Sequence, residues 1–249
     1  MIFEQRSGLQ NIIRTTPVTF GMIVAVTVMF FVTIVTGGFT TENFIRLGAL
    51  STWHVYVEGD YWRFFTVMFL HGDLMHFIFN VMFGLFIISA ALERLIGSAK
   101  FAIIFFVSGI GASLITYLYD IHIRQEVSLG VGASGAIYGV LGALLFLTLY
   151  KQSWFSPRDI SSIRGLILIN VIFTLLVGNI SNSAHFGGLF MGFVLTAMLR
   201  PERYFPGQGK GFNDPYDPYA HERKRTLNDD DPFDYIDVVD DDDDDRRVW

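Results

Sequence analysis

Cysteine is absent from the 249 residues, so disulfides, thiolate metal sites and a cysteine nucleophile are excluded, while the redox compartment stays open. Charge is scarce as well: 17% of residues are Asp, Glu, Lys or Arg, against about a quarter in soluble domains. The charge that exists is unevenly placed. Residues 201–249 hold 15 acidic and 7 basic side chains, and residues 1–200 hold 9 and 11. The net charge of −6 therefore belongs to a tail and says nothing about the rest. No Asp or Glu falls at a plausible third catalytic position within the apolar runs, and no internal repeat of the transporter kind is visible.

What the sequence does have is hydrophobic length. Half of it (51%) is apolar, gathered in runs too long for strands or for amphipathic surface helices. A bilayer core of about 30 Å takes roughly 20 apolar residues in a helix. Six such spans are predicted, at 17–36, 73–92, 99–119, 133–150, 164–179 and 184–200, and Pro201 ends the last. The first is longer than a signal-peptide core and no A-x-A-like site follows it, so it is read as a retained helix. A long connection, 37–71, mixes aromatics, charges and glycines. The expected class is an all-α membrane protein, with a short N-terminus at 1–16 and a tail at 201–249. That tail carries six consecutive aspartates near its end, Asp240 to Asp245, and is expected to be disordered. It reads first as a solvated cytoplasmic segment and second as a docking site for a basic partner.

Lys and Arg near the helix ends predict orientation. Arg6, Arg14, Arg94, Lys100, Lys151, Arg158, Arg164, Arg200 and Arg203 would share one side, and only Arg46, Arg63 and Arg124 the other. The richer side, with both termini, is expected to be cytoplasmic. The second, fourth and sixth helices then all run from outside to inside.

Polar groups inside such helices cost free energy and point to function. His71, His76 and Asn80 surround the start of the second helix, Ser134 heads the fourth and His185 heads the sixth. Each lies within the first two turns of its helix, about 10 Å, so these groups should share one depth near the outer leaflet. His76 and Asn80 are four apart and share a face, as are Ser134 and Tyr138. Gly135, Gly139 and Ala143 form one small-residue stripe; Ala184, Gly188 and Gly192 form another. Stripes of this kind let membrane helices approach closely, and an approach here is expected to bring the His185 imidazole within reach of the Ser134 hydroxyl. A histidine near neutral pH can take the proton that makes serine a nucleophile. The Ser134 N–H, His76 and Asn80 are candidate oxyanion donors. Glycines beside Ser134 permit a tight turn, although Ala136 stands where the soluble-hydrolase elbow has glycine.

Trp62-Arg63, His71-x4-His76-x3-Asn80, Gly132-Ala133-Ser134-Gly135-Ala136-Ile137-Tyr138-Gly139 and Ala184-His185-x2-Gly188-x3-Gly192 occur in the order, and on the helices, of the rhomboid family of intramembrane serine proteases. The resemblance covers about residues 60–195. It implies a six-helix, rhomboid-like bundle with a water-filled cavity open to the outside and a membrane-associated loop at 37–71. It implies Ser134 as nucleophile, His185 as base, and His76, Asn80 and the Ser134 N–H as oxyanion donors. Tyr138 would stack on His185, with His71 and Gly132 in support, and Glu93-Arg94 would form a structural polar pair. It also implies transmembrane proteins as substrates, the lipid bilayer as partner, and no nucleic acid, metal or cofactor. The setting expected is a bacterial cytoplasmic membrane. The competing reading is a polytopic transporter or metal channel built on His71, His76 and His185.

Overall fold

A computed structural model describes residues 13–177 and 181–204. The expectations for residues 1–12 and for the acidic tail from 205 onward, including its docking role, lie outside the described residues.

Pro17 occupies the first turn of α1 (Pro17–Thr36), where a missing N–H costs nothing. Thr16 supplies no side-chain cap there. The free N–H groups are met instead from the far end of another helix: the Glu93 carboxylate accepts from Val18 N at 3.0 Å and from Thr19 N at 2.8 Å. Glu93 is fully buried, so this carboxylate adds a polar tie to the apolar packing of Met22 and Val26 that holds α1 on the bundle. Two charge-assisted bonds at a helix N-terminus are together worth about 3–6 kcal/mol before desolvation. Glu93→Ala should accordingly lower the midpoint of thermal unfolding in detergent by several degrees, read by circular dichroism.

The connection after α1 is folded. It contains α2 (Thr41–Leu47) and the short α3 (Arg63–Thr66). Arg63 is 5% exposed and staples the two together. It donates to Asp60 Oδ2 at 2.9 Å and to the carbonyls of Ile45 and Ala49 at 2.7 and 3.1 Å. Its guanidinium also lies 4.5 Å from the centre of the Trp62 ring. The Trp62-Arg63 pair is thus a structural clamp on the loop.

Asp73 caps α4 (Leu74–Ile96) by accepting from His76 N. Within α4, Phe79–Ser89 is wound as a π-helix. α5 runs Ser98–Arg124. Two short strands, β1 (Leu50–Ser51) and β2 (Leu129–Gly130), then pair antiparallel with Leu50 opposite Gly130. Gly132 N donates to Val67 O at 3.0 Å. The segment before Ser134 is therefore moored to the 37–73 connection.

α6 (Ser134–Tyr150) has 17 residues, of which 12 are buried, and forms the centre of the bundle. α7 (Pro157–Leu176) and α8 (Asn182–Leu199) complete it. α7 begins seven residues before the expected 164. Ser156 accepts from Asp159 N and Pro157 fills the first turn, a start signal that a search for uncharged runs passes over. α4 and α5 also extend beyond the expected ends, to Ile96 and Arg124. Among the described residues, five helices are long and apolar enough to cross a membrane, and α6 is a shorter apolar helix. Exposed apolar side chains such as Val28, Phe31, Ile169 and Leu176 face outward, as a lipid-facing surface requires.

Candidate active site

The site exists because α6 and α8 touch backbone to backbone. A methyl group on Gly188 would fall 2.0 Å from the Gly135 carbonyl oxygen, and one on Gly192 would fall 1.8 Å from that of Gly139. Gly142, outside the expected stripe, makes a third such contact with the Leu189 carbonyl. Only glycine fits at these places. Ser134 is the first residue of α6 and His185 lies in the first turn of α8, whose cap Ser181 receives the Ala184 N–H. The close crossing brings His185 Nε2 to 2.9 Å from Ser134 Oγ.

Tyr138 lies one turn along α6 and stacks on the imidazole, with ring centres 3.9 Å apart and planes 13° apart. The other imidazole nitrogen meets a residue that sequence reasoning missed: Thr174 Oγ1 of α7 lies 2.9 Å from His185 Nδ1. The Thr174 and Tyr138 hydroxyls are hydrogen-bonded to each other, and Tyr138 donates to the Asn170 carbonyl at 2.8 Å.

On the opposite wall, Gly132 has φ +130°, and a side chain there would fall 2.8 Å from His76 Nε2. Glycine is needed for the backbone shape and for the approach of the imidazole. Asn80 donates to the His76 carbonyl at 2.8 Å, while its Oδ1 is buried without a partner. His71 is fully buried behind this wall, its ring centre 5.1 Å from that of His76 and its plane inclined 68° to it, with neither ring nitrogen hydrogen-bonded. Burial, reinforced by the neighbouring His76, pushes the His71 pKa down to about 3, so this imidazole is neutral at ordinary pH.

α4, α7 and α8 all open on side-chain caps, whereas α6 opens on Ala133 with none. The first N–H groups of a helix have no intrahelical partner, so those of α6 remain as donors beside the Ser134 hydroxyl. Ser134, His185, His76 and Asn80 line one cleft of about 810 Å³. Its border is apolar: Met75, Phe79 and Phe83 from α4 face Ile169 and Phe173 from α7, and all five are exposed on the bundle surface. Among the described residues no three of His, Cys, Asp or Glu are grouped to hold a metal, and the three histidines of the transporter reading form no such set.

Comparison with known proteins agrees with this architecture. The Rhomboid domain matches residues 58–202, which contain every site residue described above. Rhomboid protease GluP of Bacillus subtilis is 36% identical over 172 residues, 69% of this chain and 32% of that protein. From Arabidopsis thaliana, RHOMBOID-like protein 5 is 36% identical over 162 residues (63% and 50%), and RHOMBOID-like protein 1 is 30% identical over 196 (77% and 47%). The chain spans 32% to 50% of the length of these relatives. With more than half of its length matched by that domain and its helices arranged around the residues quoted above, the chain belongs to the rhomboid family.

Proposed function

We propose that this chain is an intramembrane serine endopeptidase that cleaves other membrane proteins within or beside a spanning segment. The observation that carries the proposal is the 2.9 Å contact between Ser134 Oγ and His185 Nε2 at an open cleft inside a membrane bundle. His185 accepts the Ser134 proton as the oxygen attacks the scissile carbonyl. The oxyanion forms beside the uncapped start of α6, where the Ser134 N–H and the side chains of His76 and Asn80 are the donors at hand. The tetrahedral intermediate then collapses. His185 returns the proton to the leaving amine, and the acyl group stays on Ser134. Water from the cleft gives a proton to His185 and attacks the ester; as the bond to Ser134 Oγ breaks, His185 returns that proton to the serine oxygen and the carboxylic acid product leaves.

The apolar border between α4 and α7 suits a transmembrane segment as substrate, since an entrance lined by Phe79, Phe83 and Phe173 matches a lipid-like partner and not a soluble one. The excess of Lys and Arg on the side of both termini supports a cytoplasmic location for them, with the catalytic cleft toward the outer face. A bacterial cytoplasmic membrane is the proposed setting.

The test uses the full chain purified in detergent. A fluorophosphonate should label it stoichiometrically, and mass spectrometry should place the adduct on Ser134. In proteoliposomes the unlabelled protein should cut a single-span substrate, and the labelled protein should not. An adduct elsewhere, or cleavage that survives labelling, contradicts the proposal.

A further inference from the structure

The protease reading assigns His185 as base but leaves open which ring nitrogen carries the proton, and no carboxylate decides it. Neutral imidazole has one N–H and one bare nitrogen. With the proton on Nε2 the ring would donate to Ser134 and could not take its proton. In soluble serine hydrolases a buried aspartate on Nδ1 holds the productive tautomer. Here Nδ1 meets Thr174 Oγ1, a hydroxyl that could donate or accept.

The direction is settled at the far end of the chain of contacts. The Asn170 carbonyl can only accept, so at 2.8 Å the Tyr138 O–H must donate to it. Tyr138 has a single proton. The Thr174–Tyr138 bond must then run from Thr174 to the phenol oxygen. Thr174 has now spent its own proton as well, and toward His185 it can only accept. Nδ1 therefore carries the imidazole proton, and Nε2 faces Ser134 bare. Thr174 is 1% exposed, Tyr138 4% and His185 7%, so bulk water has little access to supply a competing donor.

We propose that Thr174 and Tyr138 form a neutral hydroxyl relay, anchored on the Asn170 carbonyl, that sets the tautomer of His185 in place of a carboxylate. The proposal rests on the reading of His185 as base. Thr174 is a positioning residue: it acts through His185 and touches no reacting atom. Asn170 and Thr174 both belong to α7, which also borders the cleft, so the relay is complete only with α7 seated against α6 and α8.

The experiment is nitrogen-15 NMR of the full chain with labelled histidine, the His185 signals being identified by comparison with His185→Gln. Its partner measurement is the rate of fluorophosphonate labelling. Wild type should show protonated Nδ1 and bare Nε2 at His185. Thr174→Val keeps the shape and removes the acceptor; it should shift population toward protonated Nε2 and slow labelling about 3- to 10-fold, the worth of one neutral hydrogen bond. Tyr138→Phe keeps the stacked ring but frees the Thr174 proton to point at Nδ1, and should move both readouts the same way. Thr174→Ser should restore both. An unchanged tautomer and rate in Thr174→Val overturns the relay, as does a Thr174→Ser variant as impaired as the valine. A wild type with the expected tautomer that never labels contradicts the protease reading and leaves the relay standing.

Discussion

Ser134→Ala and His185→Ala should each remove substrate cleavage and probe labelling, by a factor on the order of 10⁶ in analogy with soluble serine hydrolases. The double variant should be no slower than either single one. In the proposed mechanism the two groups act through one proton transfer across 2.9 Å, so removing either end removes the whole step. The Ser134 change deletes one hydroxyl at a helix start and leaves Gly135, Ala136 and the α8 contact intact, so the fold should persist. His185→Ala also uncovers one face of the Tyr138 ring and leaves a void, costing roughly 2–4 kcal/mol of stability. Circular dichroism should still show a folded bundle, because α6 and α8 are held by their glycine contacts and not by this ring. The measurement is cleavage of a single-span substrate in proteoliposomes, followed by gel shift. Residual cleavage in His185→Ala within tenfold of wild type, with Ser134→Ala inactive, would show that another base serves the nucleophile.

How much of this was visible in the residue string depends on which physical signal each part leaves. Ser134 and His185 were legible because they violate the apolar pattern at equal depth and flank glycine stripes, and glycine spacing in a membrane helix speaks directly of backbone contact. Tyr138 was legible through its four-residue offset from Ser134. Thr174 left no signal. A hydroxyl in an apolar helix usually turns back on the carbonyl four residues earlier. Thr27, Thr33, Ser113, Thr116 and Thr196 all do so here. Thr174 differs because its own such carbonyl, that of Asn170, is taken by Tyr138 from another helix, which no local pattern can reveal. Glu93 was legible through the family resemblance as half of a polar pair with Arg94, but its partners on α1, 74 and 75 residues away, were not, and the β1–β2 pair is too short to show any alternation. The start of α7 was written plainly, as a serine cap and a proline, but was hidden by the charges of its first two turns.

The glycine contact that assembles the site makes the sharpest demand on sequence. Gly188→Ala adds one methyl group, yet that group would sit 2.0 Å from the Gly135 carbonyl oxygen, well inside any permitted approach. The obstacle is backbone and cannot swing aside, so α8 must move from α6 by an ångström or more. Overpacking of this kind costs about 1–3 kcal/mol in stability. The functional loss should be larger than the stability loss suggests. Ser134 and His185 ride on the two helices forced apart, and a misplacement of about 1 Å at a reacting pair costs on the order of 10²-fold in rate. Probe labelling of Gly188→Ala should therefore fall by about 10² or more in protein that remains folded by circular dichroism. Gly21→Ala in α1 and Gly165→Ala in α7 are the matched controls, since nothing lies within 4 Å of a methyl group at either place. They should label at the wild-type rate and gain about 0.5–1 kcal/mol from helix propensity. If Gly188→Ala labels like these controls, the approach of α6 and α8 is not what brings the hydroxyl and the imidazole together.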